Sequence, residues 1–237
     1  MYSDYNTVIV FFKDKNGYLE LSKSINGGLS WEENTLAGRK GDITKIVIDP
    51  LNKTNIYILG SYSIGSRNIP IIYKSTDKGE IWHSILDINT ERKLKALNFA
   101  DNVYFRNDFL VIQEKKTENE LSLRNFCIFD MVFDPSDNKS IYVSTSAGLI
   151  KSADSGKTWH AVNNLPFTKL FLSDKKVLYG VHSREVKKSY DYGKNWVVVF
   201  SGENTRLFSI KSLSGNNITN KLYISTSNGL KIIDFEK

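Results

Sequence analysis

What this chain lacks narrows its chemistry first. A single cysteine, Cys127, leaves no partner for an intrachain disulfide. It sits in Phe126-Cys127-Ile128-Phe129, which reads as buried strand, where a thiol packs as a small apolar group rather than serving as a nucleophile. Histidine occurs 3 times, as His83, His160 and His182, too widely spaced to suggest the clustered ligands of a metal site. No phosphate-cradling or dinucleotide-binding glycine pattern is present, so neither a cofactor nor a metal is expected. With only 4 prolines and no low-complexity tract, a long linker is not expected. No apolar run is long enough to span a membrane. The opening Met1-Tyr2-Ser3-Asp4-Tyr5-Asn6 has neither the basic nor the apolar region of a signal peptide. As written, the chain reads as cytoplasmic, or as extracellular if it is a fragment of a secreted protein.

Charge is plentiful but dispersed. The net charge is +6, from 32 Lys and Arg against 26 Asp and Glu. The lysine pairs, such as Lys115-Lys116, Lys175-Lys176 and Lys187-Lys188, fall at expected turns or strand edges, where lysine discourages edge-to-edge pairing. No nucleic-acid-binding module is recognisable, so no such partner is expected.

The strongest signal is an internal repeat. All 4 tryptophans end an eight-residue box of the form Ser-x-Asp-x-Gly-x-Thr-Trp. The copies run Ser24 to Trp31, Ser75 to Trp82, Ser152 to Trp159 and Ser189 to Trp196, with Asn26 replacing Asp in the first. A short Asp or Asn side chain accepts backbone N–H groups two residues on and closes a turn. The Gly takes a positive φ, and the Trp covers the corner while satisfying its own N–H. β-branched and aromatic runs flank each box, so each reads as the turn of a hairpin.

The repeat extends beyond the box. Ile48-Asp49-Pro50 followed by Ile56-Tyr57-Ile58 matches Phe133-Asp134-Pro135 followed by Ile141-Tyr142-Val143. Proline cannot donate to a ladder, so Asp-Pro ends one strand and the Ile-Tyr run begins the next. A unit therefore reads strand, Asp-Pro turn, strand, short turn, strand, box, strand. Four strands in about 40 residues is the pattern of a propeller blade.

Six such units are read, at about 7–34, 42–86, 93–126, 128–162, 169–200 and 207–235. The third is inferred from spacing: Trp82 and Trp159 lie 77 positions apart, against 37 for Trp159 and Trp196. It comprises 94–99, 103–105, 109–113 and 121–124, with a box-less turn at 115–120. The first unit lacks an inner strand and the last an outer one. In the second, 60–68 reads as a long turn, the sort of loop that carries function. The chain 1–237 is thus expected to be a single all-β domain, a β-propeller of about six four-stranded blades with the first and last incomplete. The alternative is part of a seven- or eight-bladed propeller.

These boxes and Asp-Pro units resemble the Asp-box, or bacterial neuraminidase repeat, proteins. The layout is nearer to the lumenal domain of sortilin, xyloglucan-cleaving endoglucanases and a photosystem II assembly factor than to true sialidases. The resemblance implies a propeller, and enzymes, receptors and assembly factors alike. The sialidase-type Arg-Ile-Pro motif is interrupted in Arg67-Asn68-Ile69-Pro70, which argues against sialidase activity.

The box residues Ser24, Asn26, Gly28, Trp31, Ser75, Asp77, Gly79, Trp82, Ser152, Asp154, Gly156, Trp159, Ser189, Asp191, Gly193 and Trp196 are expected to be structural, because their hairpins lie at the outer rim. Glycoside hydrolysis needs two carboxyl groups flanking one bond. Asp42 and Asp130, near the starts of inner strands, and Glu185, in a turn, are the weak candidates, and no spacing pairs them. The leading expectation is a non-catalytic binding or scaffolding propeller for a protein or carbohydrate partner. A sialidase- or xyloglucanase-like glycoside hydrolase, or a fragment of one, is the rival. Nothing in the sequence bears on oligomeric state.

Overall fold

The structure, a computed structural model, describes residues 2–3, 6–64, 67–87, 103–106, 109–114, 117–122, 127–205 and 207–235. These residues form strands and turns with no helix among them. The first two units are one antiparallel sheet in chain order: β1 (Tyr2–Ser3), β2 (Val8–Lys13), β3 (Tyr18–Ser24), β4 (Glu32–Ile48), β5 (Ile56–Ile64), β6 (Arg67–Ser75) and β7 (His83–Asp87). Three strands follow as a separate sheet, β8 (Val103–Arg106), β9 (Phe109–Glu114) and β10 (Thr117–Ser122). The fourth unit is β11 (Ile128–Asp134), β12 (Asp137–Thr145), β13 (Gly148–Ser152) and β14 (His160–Asn163). The fifth is β15 (Lys169–Leu172), β16 (Leu178–His182), β17 (Glu185–Ser189) and β18 (Val197–Ser201). The last is β19 (Ile210–Asn216), β20 (Lys221–Thr226) and β21 (Gly229–Asp234).

The sheets pack face to face because period-two alternation gives each an apolar row on either side. Within the seven-stranded sheet, Ile9 and Leu21 of the first unit meet Ile56 of the second beneath Trp82. Tyr142 and Leu149 of the fourth unit meet Leu170 and Leu178 of the fifth, with Phe167 of the connection between the two units. Tyr179, Val181 and Val186 of the fifth meet Leu222 and Ile224 of the last. Consecutive meandering antiparallel sheets stacked through both faces make this fold an all-β propeller.

Several expectations change. The outer strand of the first unit and the inner strand of the second are continuous in β4, which pairs with β3 at Glu32–Thr35 and with β5 at Gly41–Ile48. The first unit also has a short additional strand, β1, on β2. Residues 60–68 are not a long turn, since Ile64 pairs with Arg67 and the hairpin continues to that point. Thr117 to Glu120, read as a turn, belong to β10, which pairs with β9 from Thr117 to Ser122. The run 94–99 lies outside the described residues.

Two departures concern packing. Cys127 is exposed rather than buried, because β11 begins one residue later and the burial starts with Ile128. The second and fourth units touch directly: Tyr57, Leu59 and Ile72 pack with Met131, Phe133, Ile141 and Trp159 in one cluster. The sheet β8–β10 therefore does not separate them. Apolar faces find each other by fit rather than by order along the chain, so unit spacing alone did not reveal this neighbour relation.

Candidate functional site

The boxes share one geometry. Each glycine has a positive φ, Gly28 at 96°, Gly79 at 89°, Gly156 at 91° and Gly193 at 94°. The serine hydroxyl accepts the glycine N–H, at 2.8, 2.7, 2.8 and 2.8 Å for Ser24, Ser75, Ser152 and Ser189, and donates to the Asp or Asn oxygen. The carboxylate reaches further along than two residues: Asp154 Oδ1 accepts Thr158 N–H at 2.8 Å, and Asp191 Oδ1 accepts Asn195 N–H at 2.8 Å. The ring N–H of each tryptophan donates to the carbonyl of its own box glycine, at 2.8 to 3.1 Å.

These bonds favour the ionised carboxylate. The Thr158 hydroxyl and backbone N–H hold Asp154 down at about 2, and the Asn195 backbone and side-chain N–H groups do the same for Asp191. For Asp77 burial pushes upward, but the N–H groups of Ile81 and Glu80 and the Ser75 hydroxyl outweigh it, so its carboxyl is also lowered.

A second regularity precedes every box and was missed in the sequence. Lys23, Lys74, Lys151 and Lys188 each stand immediately before the box serine. Three of them face a tyrosine across the sheet, in the pairs Tyr57 with Lys74, Tyr142 with Lys151 and Tyr179 with Lys188. The ammonium groups of Lys74 and Lys151 lie 5.3 and 5.0 Å from the ring centroids of Tyr57 and Tyr142, within cation–π range. Burial pushes both phenols up, with Asp49 adding to the effect at Tyr57 and Asp134 at Tyr142. The lysine at a fixed offset from the box serine was the signal that could have exposed this row.

The carboxylates proposed for chemistry occupy different surroundings. Asp42 is exposed on β4 and pairs with Lys13. Glu185 begins β17, lies 3.1 Å from Lys187 Nζ and accepts the Ser201 hydroxyl at 3.5 Å. Asp130 is buried: Oδ1 accepts Lys45 Nζ of β4 and the Met131 N–H at 2.8 Å, and Oδ2 accepts the Leu170 N–H of β15 at 2.8 Å. One side chain thus ties the inner strands of three units. Its sequence signal is a lone charge within the apolar run Ile128-Phe129-Asp130-Met131-Val132-Phe133, since a buried carboxylate must find partners. Each of the three acids accepts from its own lysine, and no contact joins any two of them among the described residues.

Among the described residues there is no group of three His, Cys, Asp or Glu able to hold a metal ion. No helix there is long and apolar enough to cross a membrane. His182 is occupied locally, its Nδ1 lying 2.8 Å from the Pro166 carbonyl.

No family model matches the chain, and no curated protein sequence matches it. Solved structures do. A GH74 xyloglucanase from Xanthomonas campestris matches with a TM-score of 0.58 at 16% identity, over 94% of this chain and 33% of that one. An ancestral GH74 enzyme gives 0.56 at 15% identity, over 92% and 28%. A gluconolactonase from Xanthomonas campestris gives 0.53 at 10% identity, over 94% and 70%. The likeness is one of fold, and the chain spans about a third of the length of the GH74 enzymes.

Proposed function

We propose that the chain is an Asp-box (bacterial neuraminidase repeat) propeller acting as a non-catalytic binding or scaffolding module for a protein or carbohydrate partner. In this reading 1–237 is one domain, the box residues are structural corners, and the units are those at about 7–34, 42–86, 93–126, 128–162, 169–200 and 207–235, with the sheet of the third displaced from between its neighbours.

The observation that carries the reading is the placing of the acids. Hydrolysis of a glycosidic bond needs two carboxyl groups facing each other across that bond. Asp42, Asp130 and Glu185 are instead each held by a different lysine, Lys13, Lys45 and Lys187 in turn, and no contact joins any two of them among the described residues. Asp130 is further committed to two backbone N–H groups. The rival reading, a sialidase- or xyloglucanase-like hydrolase or a fragment of one, draws on the fold it shares with the GH74 enzymes.

Assays on xyloglucan, other polysaccharides and aryl glycosides separate the two. The expected outcome is no turnover above the buffer rate, with calorimetry on the same glycans testing binding. Steady turnover that disappears in Asp42→Asn or Asp130→Asn would overturn the reading.

A further inference from the structure

The fourth box differs from the other three in what it turns toward solvent. The fourth position of every box has a left-handed backbone, with φ of 71° at Gly27, 59° at Lys78, 61° at Ser155 and 61° at Tyr192. Glycine takes that conformation without strain, and a bulky ring is poorly suited to it. The fourth box nonetheless places a tyrosine there, and a second one, Tyr190, two residues earlier. The same two positions hold Ile25 and Gly27, Thr76 and Lys78, and Ala153 and Ser155 in the other boxes.

Neither ring is needed to close the corner. Ser189, Asp191, Gly193 and Trp196 make the same bonds as their counterparts elsewhere. The corner is also firmly seated, since a Cβ on Gly193 would fall 2.5 Å from Leu149 Cδ2 of the fourth unit. Tyr190 is nevertheless 63% exposed and Tyr192 39%. A costly backbone conformation that leaves an aromatic ring in water points to a use outside the fold.

Ammonium groups hold both rings in place. Lys188 Nζ lies 5.1 Å from the Tyr190 ring centroid, and Lys151 Nζ lies 5.1 Å from that of Tyr192. Lys151 comes from the fourth unit and is itself set by the Tyr142 ring, 5.0 Å away. Lys194, within the box, is exposed. The acids beside these lysines are bound into their own turns. Asp191 accepts from Asn195 and Ser189, and Asp137 accepts the Lys139 N–H and the Ser140 hydroxyl. Two rings of fixed orientation and two reachable cations, Lys151 and Lys194, therefore share one surface.

We propose that the fourth box is a binding platform for an acidic saccharide. A carboxylate-bearing pyranose stacks its C–H face on Tyr190 and Tyr192, and Lys151 and Lys194 meet its charge. This rests on the carbohydrate side of the reading above and names its site and ligand class. Tyrosine suits such a surface because it presents a large amphipathic ring with little freedom to lose. A single-stranded nucleic acid would need further rings along its path, and the adjoining third box offers Ala153 and Ser155 in their place.

Titration calorimetry of the full chain with an oligogalacturonate tests this, beside its methyl ester, polyglutamate and an oligothymidylate. The oligogalacturonate is expected to bind, and the uncharged methyl ester to bind at least about tenfold more weakly. Tyr190→Ala and Tyr192→Gly are each expected to weaken binding about tenfold, the loss of one ring contact. Both variants are expected to keep the wild-type melting temperature, because the rings are exposed and glycine suits the backbone at 192. Failure of the oligogalacturonate to bind, or variants that bind it as the wild type does, would overturn the proposal. So would a methyl ester, polyglutamate or oligothymidylate that binds as tightly as the acid. Turnover of a glycan would end the non-catalytic reading without bearing on the platform, so the two fail separately.

Discussion

Trp159→Ala is expected to lower the free energy of unfolding by about 3–5 kcal/mol, the usual cost of emptying a large aromatic site in a core. Trp159 is 7% exposed and lies in the cluster that joins the second and fourth units. Its ring N–H donates to the Gly156 carbonyl at 3.1 Å and also to the Ile85 carbonyl of β7 at 3.2 Å, so it fastens its own corner to the neighbouring sheet. Trp31 has the same position in the first box but is 43% exposed, and among the described residues its ring N–H donates to the Gly28 carbonyl alone. Trp31→Ala is accordingly expected to cost below about 1 kcal/mol. Urea unfolding of both variants at one protein concentration measures the contrast. Equal losses would mean that the boxes act locally and do not hold the sheets together.

Asp130→Ala is expected to cost about 3 kcal/mol. The loss comes mainly from the N–H groups of Met131 and Leu170, which would be left buried without an acceptor at about 1–3 kcal/mol each. The ion pair itself adds less, because the Lys45 side chain is 40% exposed and regains water. Asp130→Asn is expected to cost less than Asp130→Ala, since the amide oxygen still accepts one of the two N–H groups. Asp42→Ala is expected to stay within about 0.5 kcal/mol, as its pair with Lys13 is at the surface. Chemical denaturation read by tryptophan fluorescence ranks the three. A cost at Asp42 equal to that at Asp130 would contradict the assignment of Asp130 as the tie between inner strands.

These contrasts follow from which interactions are local. The corner Ser-x-Asp-x-Gly was legible because its hydrogen bonds close within eight residues, and the residue types required are the same wherever the turn occurs. The strands beside it were legible from Ile56-Tyr57-Ile58 and Ile141-Tyr142-Val143 for the same reason. Partners brought together by packing were not. Asp130 and Lys45 are 85 positions apart, and nothing in either segment names the other. The direct contact of Tyr57 with Phe133, ring centroids 5.0 Å apart, passes over the third unit altogether. Cys127 shows the limit at single-residue scale, since one step in where a strand begins separates a buried thiol from an exposed one. The lysine row lay between these extremes, visible as a fixed offset from the box serine yet meaningful only once Tyr142 and Lys151 are seen to face each other.

The seating of the second, third and fourth boxes on a neighbouring unit is the claim on which the account of the fold rests. Nuclear Overhauser contacts between the α-protons of the box glycines and methyl groups test it most directly. Gly79 is expected to show the δ-methyl of Ile9, Gly156 that of Ile85, and Gly193 a δ-methyl of Leu149. Box glycines whose contacts run to other methyls, or to none, would contradict it.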